Sequence, residues 1–111
     1  MRGTGRTKAM VMALPEGGAC VITHGAEVRR YIERMIYDLR GRDFLRSCKV
    51  CVIYGHSDLG RLQGLLMPTF IDHAFWFLCR SGAVVNEVAC IVDRINDRFP
   101  HVSLENKSIN R

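Results

Sequence analysis

The sequence predicts a single α/β domain with a three-layer α/β/α arrangement and a mostly parallel sheet of three to four strands. Three short apolar segments rich in β-branched residues are typical of strands that are covered on both faces. Helical segments separate them, and this alternation favours right-handed parallel crossovers. The chain has 111 residues, 48% of them hydrophobic and 24% charged, which suits one globular core. We expect the domain to cover residues 1–104 and a polar tail to follow over residues 105–111.

The elements follow one another in a regular order. The predicted strands are residues 19–23, 49–54 and 69–71, with a further short strand at residues 101–104. Helices are predicted over residues 7–14, 26–40, 57–66 and 83–98, and residues 73–81 fit either a helix or an apolar loop. The two longest helices have apolar residues at steps of three and four. The side chains expected to face the core from the helices at 26–40 and 57–66 are Val28, Tyr31, Ile32, Met35, Leu39, Leu59, Leu62, Leu65 and Leu66. Ser57 is the expected cap of the shorter helix.

Composition limits the cellular setting. No apolar run approaches the roughly 18 residues of a membrane span, and no secretory signal core follows Met1. We therefore expect no membrane association and a cytoplasmic protein, in the host cytoplasm if the source is viral. The five cysteines are an odd number in mostly apolar surroundings, which indicates reduced thiols. Cys48 and Cys51 have a Cys-x-x-Cys spacing, but zinc would need two more ligands.

The net charge is +5, and residues 26–49 hold seven basic residues against four acidic ones. This surplus permits contact with nucleic acid. Arg29, Arg30 and Arg34 on the predicted 26–40 helix are the candidate residues. One hypothesis is therefore a non-enzymatic protein that binds nucleic acid or a host protein through the basic 26–49 surface.

A glycine-containing segment at the chain start predicts a phosphate site. Gly3 and Gly5 would let backbone N–H groups approach phosphate oxygens, and the start of a helix adds favourable partial charge. Arg6 and Thr7 stand where a cation and a hydroxyl would serve phosphate and Mg²⁺. The alternative interpretation is a flexible basic leader.

An acid ends the third predicted strand. Asp72 follows Phe70 and Ile71, and ligands of parallel α/β sheets bind at the carboxyl ends of the strands. A carboxylate at this edge can hold Mg²⁺. The alternative interpretation is that Asp72 only caps the next segment.

Taken together, these motifs resemble P-loop NTPases of the helicase and terminase type. Gly5-Arg6-Thr7 resembles the end of a Walker A motif, Val21-Ile22-Thr23-His24 resembles the motif Ia region, and Phe70-Ile71-Asp72-His73 resembles a Walker B motif. Compact proteins of this kind resemble reading frames of phages and mobile elements. The resemblance implies binding of ATP or another nucleotide with Mg²⁺, held by Thr7 and Asp72, and it places Asp72 and His73 at the catalytic positions.

The sequence also departs from that family. The strand that normally feeds the phosphate loop is missing, Arg6 replaces a lysine, and His73 stands where a glutamate usually orients water. A truncated gene start, a strand supplied by another chain of a homo-oligomer and a loss of hydrolysis all fit the missing strand. Weak or absent hydrolysis is the expectation, so the sequence leaves enzymatic activity open.

Two other combinations of residues suggest further hypotheses. His24, Asp72 and His73 would meet at one sheet edge if the strands are parallel, which suggests a metal-dependent hydrolase as a further hypothesis. The aromatic run at residues 75–77 could stack nucleobases, although such runs more often belong to a core or to a self-association patch.

Overall fold

The computed structural model of the protein describes residues 4–100. The predicted strand at 101–104, the polar tail and Gly3 lie outside the described residues. The elements are α1 (Thr4–Ala13), β1 (Cys20–Thr23), α2 (Ala26–Arg40), α3 (Arg42–Arg46), β2 (Lys49–Val52), a 3-10 helix (His56–Leu62), β3 (Thr69–Ile71), α4 (Phe75–Leu78) and α5 (Gly82–Asn96). No helix among residues 4–100 is long and apolar enough to span a membrane.

The three strands form one parallel sheet in the order β2-β1-β3. The central strand β1 pairs Ile22 with Cys51 of β2 and with Ile71 of β3. The α/β class and the parallel three-stranded sheet are thereby confirmed. Because all strands point the same way, the residues that follow β1, β2 and β3 gather at one edge, and the loops that enter the strands gather at the other.

Successive residues of β1 serve two separate cores. Val21 packs with Phe70 and with apolar residues of α1 and α2, including Val11 and Ile32. Ile22 packs on the opposite face, in a cluster that contains Phe75 of α4 and three valines of α5. Side chains along a strand alternate between faces, so helices cover both faces of the sheet.

The predicted inner face of α2 was partly wrong. Ile32 and Ile36 are the buried residues of this helix, whereas Tyr31 is 47% exposed and Leu39 38% exposed. The set of apolar residues predicted to face the core was larger than the set that the neighbouring elements cover. The bounds of α2 agree with the prediction, α1 begins three residues before the predicted start, and α3 was not predicted.

The predicted helix at 57–66 is instead the 3-10 helix His56–Leu62. Gly55 rather than Ser57 stands at its N-cap position. The Asp58 carboxylate accepts hydrogen bonds from the backbone N–H groups of Tyr54 (2.8 Å) and Gly55 (3.3 Å), and this lowers its pKa. Leu66 was expected inside and is 74% exposed, because the short helix ends before it.

Arg40 fixes the far end of α1. Its guanidinium donates to the backbone oxygens of Val11 at 2.7 Å, Met12 at 3.3 Å and Leu14 at 3.0 Å. The last carbonyls of a helix lack partners inside the helix, so these bonds satisfy them. The same guanidinium lies 3.9 Å from the centre of the Phe44 ring. Arg40 therefore holds α1, α2 and α3 together.

Candidate functional site

The first turn of α1 meets the carboxyl end of β3. The Thr7 hydroxyl donates to Oδ1 of Asp72 at 3.1 Å, although the two residues lie far apart in the sequence. Both side chains are buried, with 7% of Thr7 and 1% of Asp72 exposed. The sequence predicted that these two residues would lie near one another, and the structure brings them into direct contact.

The second carboxylate oxygen of Asp72 is also held. Oδ2 accepts from the backbone N–H of Ala74 at 3.2 Å, and the Asp72 N–H extends the ladder between the strands by donating to the Ile22 oxygen at 2.9 Å. Burial raises the pKa of Asp72, and the hydrogen bonds from Thr7 and Ala74 oppose that rise. A buried carboxylate with few donors is stabilised further by a cation.

Arg6 contacts His73 beside this pair. Arg6 Nη1 lies 2.9 Å from His73 Nδ1 on the exposed side of the site. An arginine guanidinium only donates, so Nδ1 accepts and the remaining proton of a neutral His73 is on Nε2. The side chains of Arg6, Thr7, Asp72 and His73, which were all predicted site residues, therefore lie together.

Thr23 adds a buried hydroxyl at the same edge. Its side chain is fully buried, and Oγ1 has no hydrogen-bond partner within the described part of the chain. The register pairs Ile22 with Ile71, so Thr23 stands next to Asp72 one position further along. Alternation places Thr23 on the face of Val21, which is the face that α1 covers. Sequence reasoning missed this residue as a site residue.

Space is available around the first turn of α1. Gly5 is exposed, and a Cβ atom built there would meet no other atom within 4 Å. Packing therefore does not require a glycine at this position. Since α1 begins at Thr4, the N–H groups of this turn lack partners inside the helix, and the start of a helix is favourable for an anion.

The three-residue metal site was not found. His24 Nδ1 contacts the backbone oxygen of Ile53 at 3.1 Å, and the His24 ring contacts Tyr54 and Phe75. Among residues 4–100, no group of three or more His, Cys, Asp or Glu side chains is arranged to hold a metal. His24 lies against Ile53 and Tyr54 on the β2 side of the sheet edge, whereas His73 contacts Arg6, so the described residues do not bring His24, Asp72 and His73 together as the predicted site.

The cysteines are free thiols. Cys51 Sγ lies 3.7 Å from Cys20 Sγ of the neighbouring strand, while Cys48 is half-buried and packs on the other face of the sheet. The hydrogen bond to Cys51 and burial raise the pKa of Cys20. Cys48 and Cys51, which have the Cys-x-x-Cys spacing, thus do not lie together as a pair. Cys90 was expected in an apolar setting and is exposed.

The basic candidates are all exposed, whereas the aromatic candidates are exposed only in part. Arg29 pairs with Glu33 at 3.2 Å and Arg34 with Asp38 at 3.7 Å, and both arginines remain exposed, as does Arg30; such surface pairs are weak. In the aromatic run Phe75 is buried, Trp76 is half-buried and Phe77 is 71% exposed. The Phe77 ring lies against His73, 4.9 Å between centroids.

Comparison of the chain with protein-family models, with curated proteins and with solved structures finds no match. The interpretation of the site therefore depends on its residues and their geometry. The geometry defines a class of site in which a helix N-terminus, a hydroxyl and a buried carboxylate converge at the carboxyl edge of a parallel sheet. Sites of this class suit anions that carry a divalent cation.

Proposed function

We propose that this protein binds ATP or another nucleoside triphosphate together with Mg²⁺, in the manner of P-loop proteins of the helicase and terminase type, with weak or no hydrolysis. The observation that carries the proposal is the 3.1 Å hydrogen bond between the Thr7 hydroxyl and the Asp72 carboxylate. These are the two groups that the resemblance assigns to the metal, and they come from opposite parts of the fold.

Each residue has a chemical task in this proposal. The N–H groups of the first turn of α1 and the open space beside Gly5 accommodate phosphate oxygens. Arg6, which is exposed, neutralises the phosphates and can contact two oxygens at once.

The donor set also fits the cation. Mg²⁺ is usually held by one or two carboxylates together with phosphate oxygens and water, rather than by a protein cage. Asp72 supplies the carboxylate and Thr7 the hydroxyl. The absence of a three-ligand cluster among residues 4–100 is therefore compatible with this cation, because phosphate completes the site.

His73 supports the second half of the proposal, that hydrolysis is weak. The residue after Asp72 is the place for a group that orients the attacking water. His73 Nδ1 accepts from Arg6, so this nitrogen is occupied while the contact lasts. Nδ1 can accept a proton from water only after Arg6 moves away.

Isothermal calorimetry with MgATP tests the site. Arg6→Ala and Asp72→Asn should each weaken binding about tenfold or more, since hydrogen bonds to charged groups contribute roughly 1.5–3 kcal/mol. Arg46→Ala and Asp43→Asn are matched controls on α3, where both residues are exposed, and they should bind like the unmodified protein. Unchanged affinity in both site variants, or no binding of MgATP to the unmodified protein at millimolar concentration, refutes the proposal.

A further inference from the structure

We propose that the Thr23 hydroxyl is a third protein group of the cation site and holds a water molecule of the Mg²⁺ hydration shell beside Asp72. The inference rests on the proposed function and extends it, because the resemblance assigns Thr23 to the motif Ia region without giving its hydroxyl a role at the metal. The starting observation is a fully buried hydroxyl without a hydrogen-bond partner in residues 4–100.

A buried hydroxyl without a partner is destabilising by roughly 1–3 kcal/mol. Native structures satisfy nearly all such groups, and an exception often marks the place of a water or an ion. Thr23 does not need its hydroxyl for the sheet, since its backbone oxygen already accepts from the Ile53 N–H at 2.9 Å. Valine would fill the same space in the strand without a polar atom.

The position of Thr23 identifies the group that its hydroxyl would serve. The register pairs Ile22 with Ile71, and the Asp72 N–H extends this ladder by donating to the Ile22 oxygen. Thr23 and Asp72 therefore occupy neighbouring positions along this ladder, where strands lie about 4.8 Å apart. Both side chains stand on the face covered by α1, where Thr7 already contacts Asp72. Two hydroxyls therefore flank one carboxylate, one on α1 and one on β1.

The chemistry of the cation explains why two hydroxyls are useful. Mg²⁺ dehydrates reluctantly and keeps several waters in its octahedral shell. A carboxylate and a hydroxyl that lie side by side can hold one such water, because the hydroxyl donates or accepts as required. Thr7 and phosphate would contact the ion, while Thr23 and Asp72 would hold its water.

The test compares Thr23→Val, which removes the hydroxyl and keeps the shape, with Thr23→Ser, which keeps the hydroxyl. Calorimetry with ATP is run with and without Mg²⁺. Thr23→Val should weaken binding of MgATP about three- to tenfold, the effect of one hydrogen bond, and should leave metal-free ATP binding unchanged. Thr23→Ser should keep the affinity of the unmodified protein for MgATP within about twofold.

Thermal unfolding without any ligand gives an independent readout. Thr23→Val should raise the midpoint by a few degrees, because it removes an unpaired buried polar group. Thr69→Val is the matched control on β3. The Thr69 hydroxyl donates to the Met67 oxygen at 3.1 Å, so its loss should lower the midpoint.

The outcomes separate this inference from the proposed function. If the unmodified protein binds MgATP and Thr23→Val binds it equally well, the inference is overturned while the proposed function stands. A lower midpoint in Thr23→Val also overturns the inference, since it means that the hydroxyl has a protein partner. If the unmodified protein does not bind MgATP, both are refuted.

Discussion

The two edges of the sheet differ in how fully their buried polar groups are hydrogen-bonded. At the edge where the strands begin, the Asn96 side chain accepts from the Thr69 N–H and donates to the Thr69 oxygen, both at 2.8 Å. At the edge where the strands end, the Thr23 hydroxyl has no partner in the described chain and the Asp72 carboxyl is buried with a raised pKa.

This difference separates the edge that stabilises the fold from the edge that the proposed function assigns to binding. Polar groups that are satisfied rigidify a fold, whereas polar groups that are buried at a cost persist where binding needs them. Substitutions at the first edge should therefore destabilise the protein. Removal of the Thr23 hydroxyl or of the Asp72 charge should leave stability unchanged or improve it and, under the proposed function, should impair binding of MgATP.

The largest expected effect is at Gly18, in the loop that enters β1. Gly18 has φ of +98°, and a Cβ atom there would lie 2.1 Å from the Ser47 backbone oxygen. Gly18→Ala should lower the free energy of unfolding by about 2–5 kcal/mol, from left-handed backbone strain and overpacking. Gly17→Ala is the control, since a Cβ at Gly17 meets nothing within 4 Å. Equal stability of the two variants in urea unfolding would contradict the prediction.

The next effect is at Asn96, the last residue of α5. Asn96→Ala leaves the buried N–H and oxygen of Thr69 without the amide, so unfolding free energy should fall by about 2–4 kcal/mol. Asn86→Ala on the exposed side of the same helix should change it by less than about 0.5 kcal/mol. If chemical denaturation shows no difference between the two, the first edge does not carry the stability assigned to it.

The smallest effect on stability, and one of opposite sign, is expected at Asp72. Because its folded pKa is raised, the folded state binds the proton more tightly than the unfolded state, and stability falls as pH rises from the ordinary value near 3.8 through the raised value. Asp72→Asn does not titrate and should remove this slope, with equal or greater stability at pH 7.

The measurement for Asp72 is urea unfolding over a pH series from 4 to 7. The lowered pKa of Asp58 acts in a different window, below about 3.8, where falling pH reduces stability. A pH slope that persists unchanged in Asp72→Asn, or a large loss of stability at pH 7, would show that Asp72 is a structural residue rather than a binding residue.

The sequence predicted the parts of the fold that depend on strong local patterns. Strand β3 and helix α2 were assigned with the observed bounds, because their apolar patterns are uninterrupted. The five-residue α3 was missed, since it is too short for helical periodicity to show. The position of Leu66 was predicted wrongly, because a pattern of leucines does not reveal where a helical segment ends.

Some residues of the site were predicted from the sequence and one was not. Asp72 could be placed because an acid directly after a buried strand must lie at the carboxyl edge, and Thr7 followed from the glycine segment at the chain start. Thr23 could not be recognised from sequence, since its significance is the lack of a partner in the folded structure. One signal was present: two neighbouring strands both end in a polar residue on the same face.

The three hydrogen bonds from Arg40 anchor the carboxyl-terminal end of α1. The amino-terminal end of α1 is held at the end of β3 by the Thr7–Asp72 hydrogen bond, and its other end is held to α2 by the hydrogen bonds from Arg40. Loss of the Thr7–Asp72 hydrogen bond would let α1 tilt about the end that Arg40 holds, while that end stays in place. Because the Arg40 guanidinium also lies over the Phe44 ring, such a tilt would reach α3 through the Arg40 side chain.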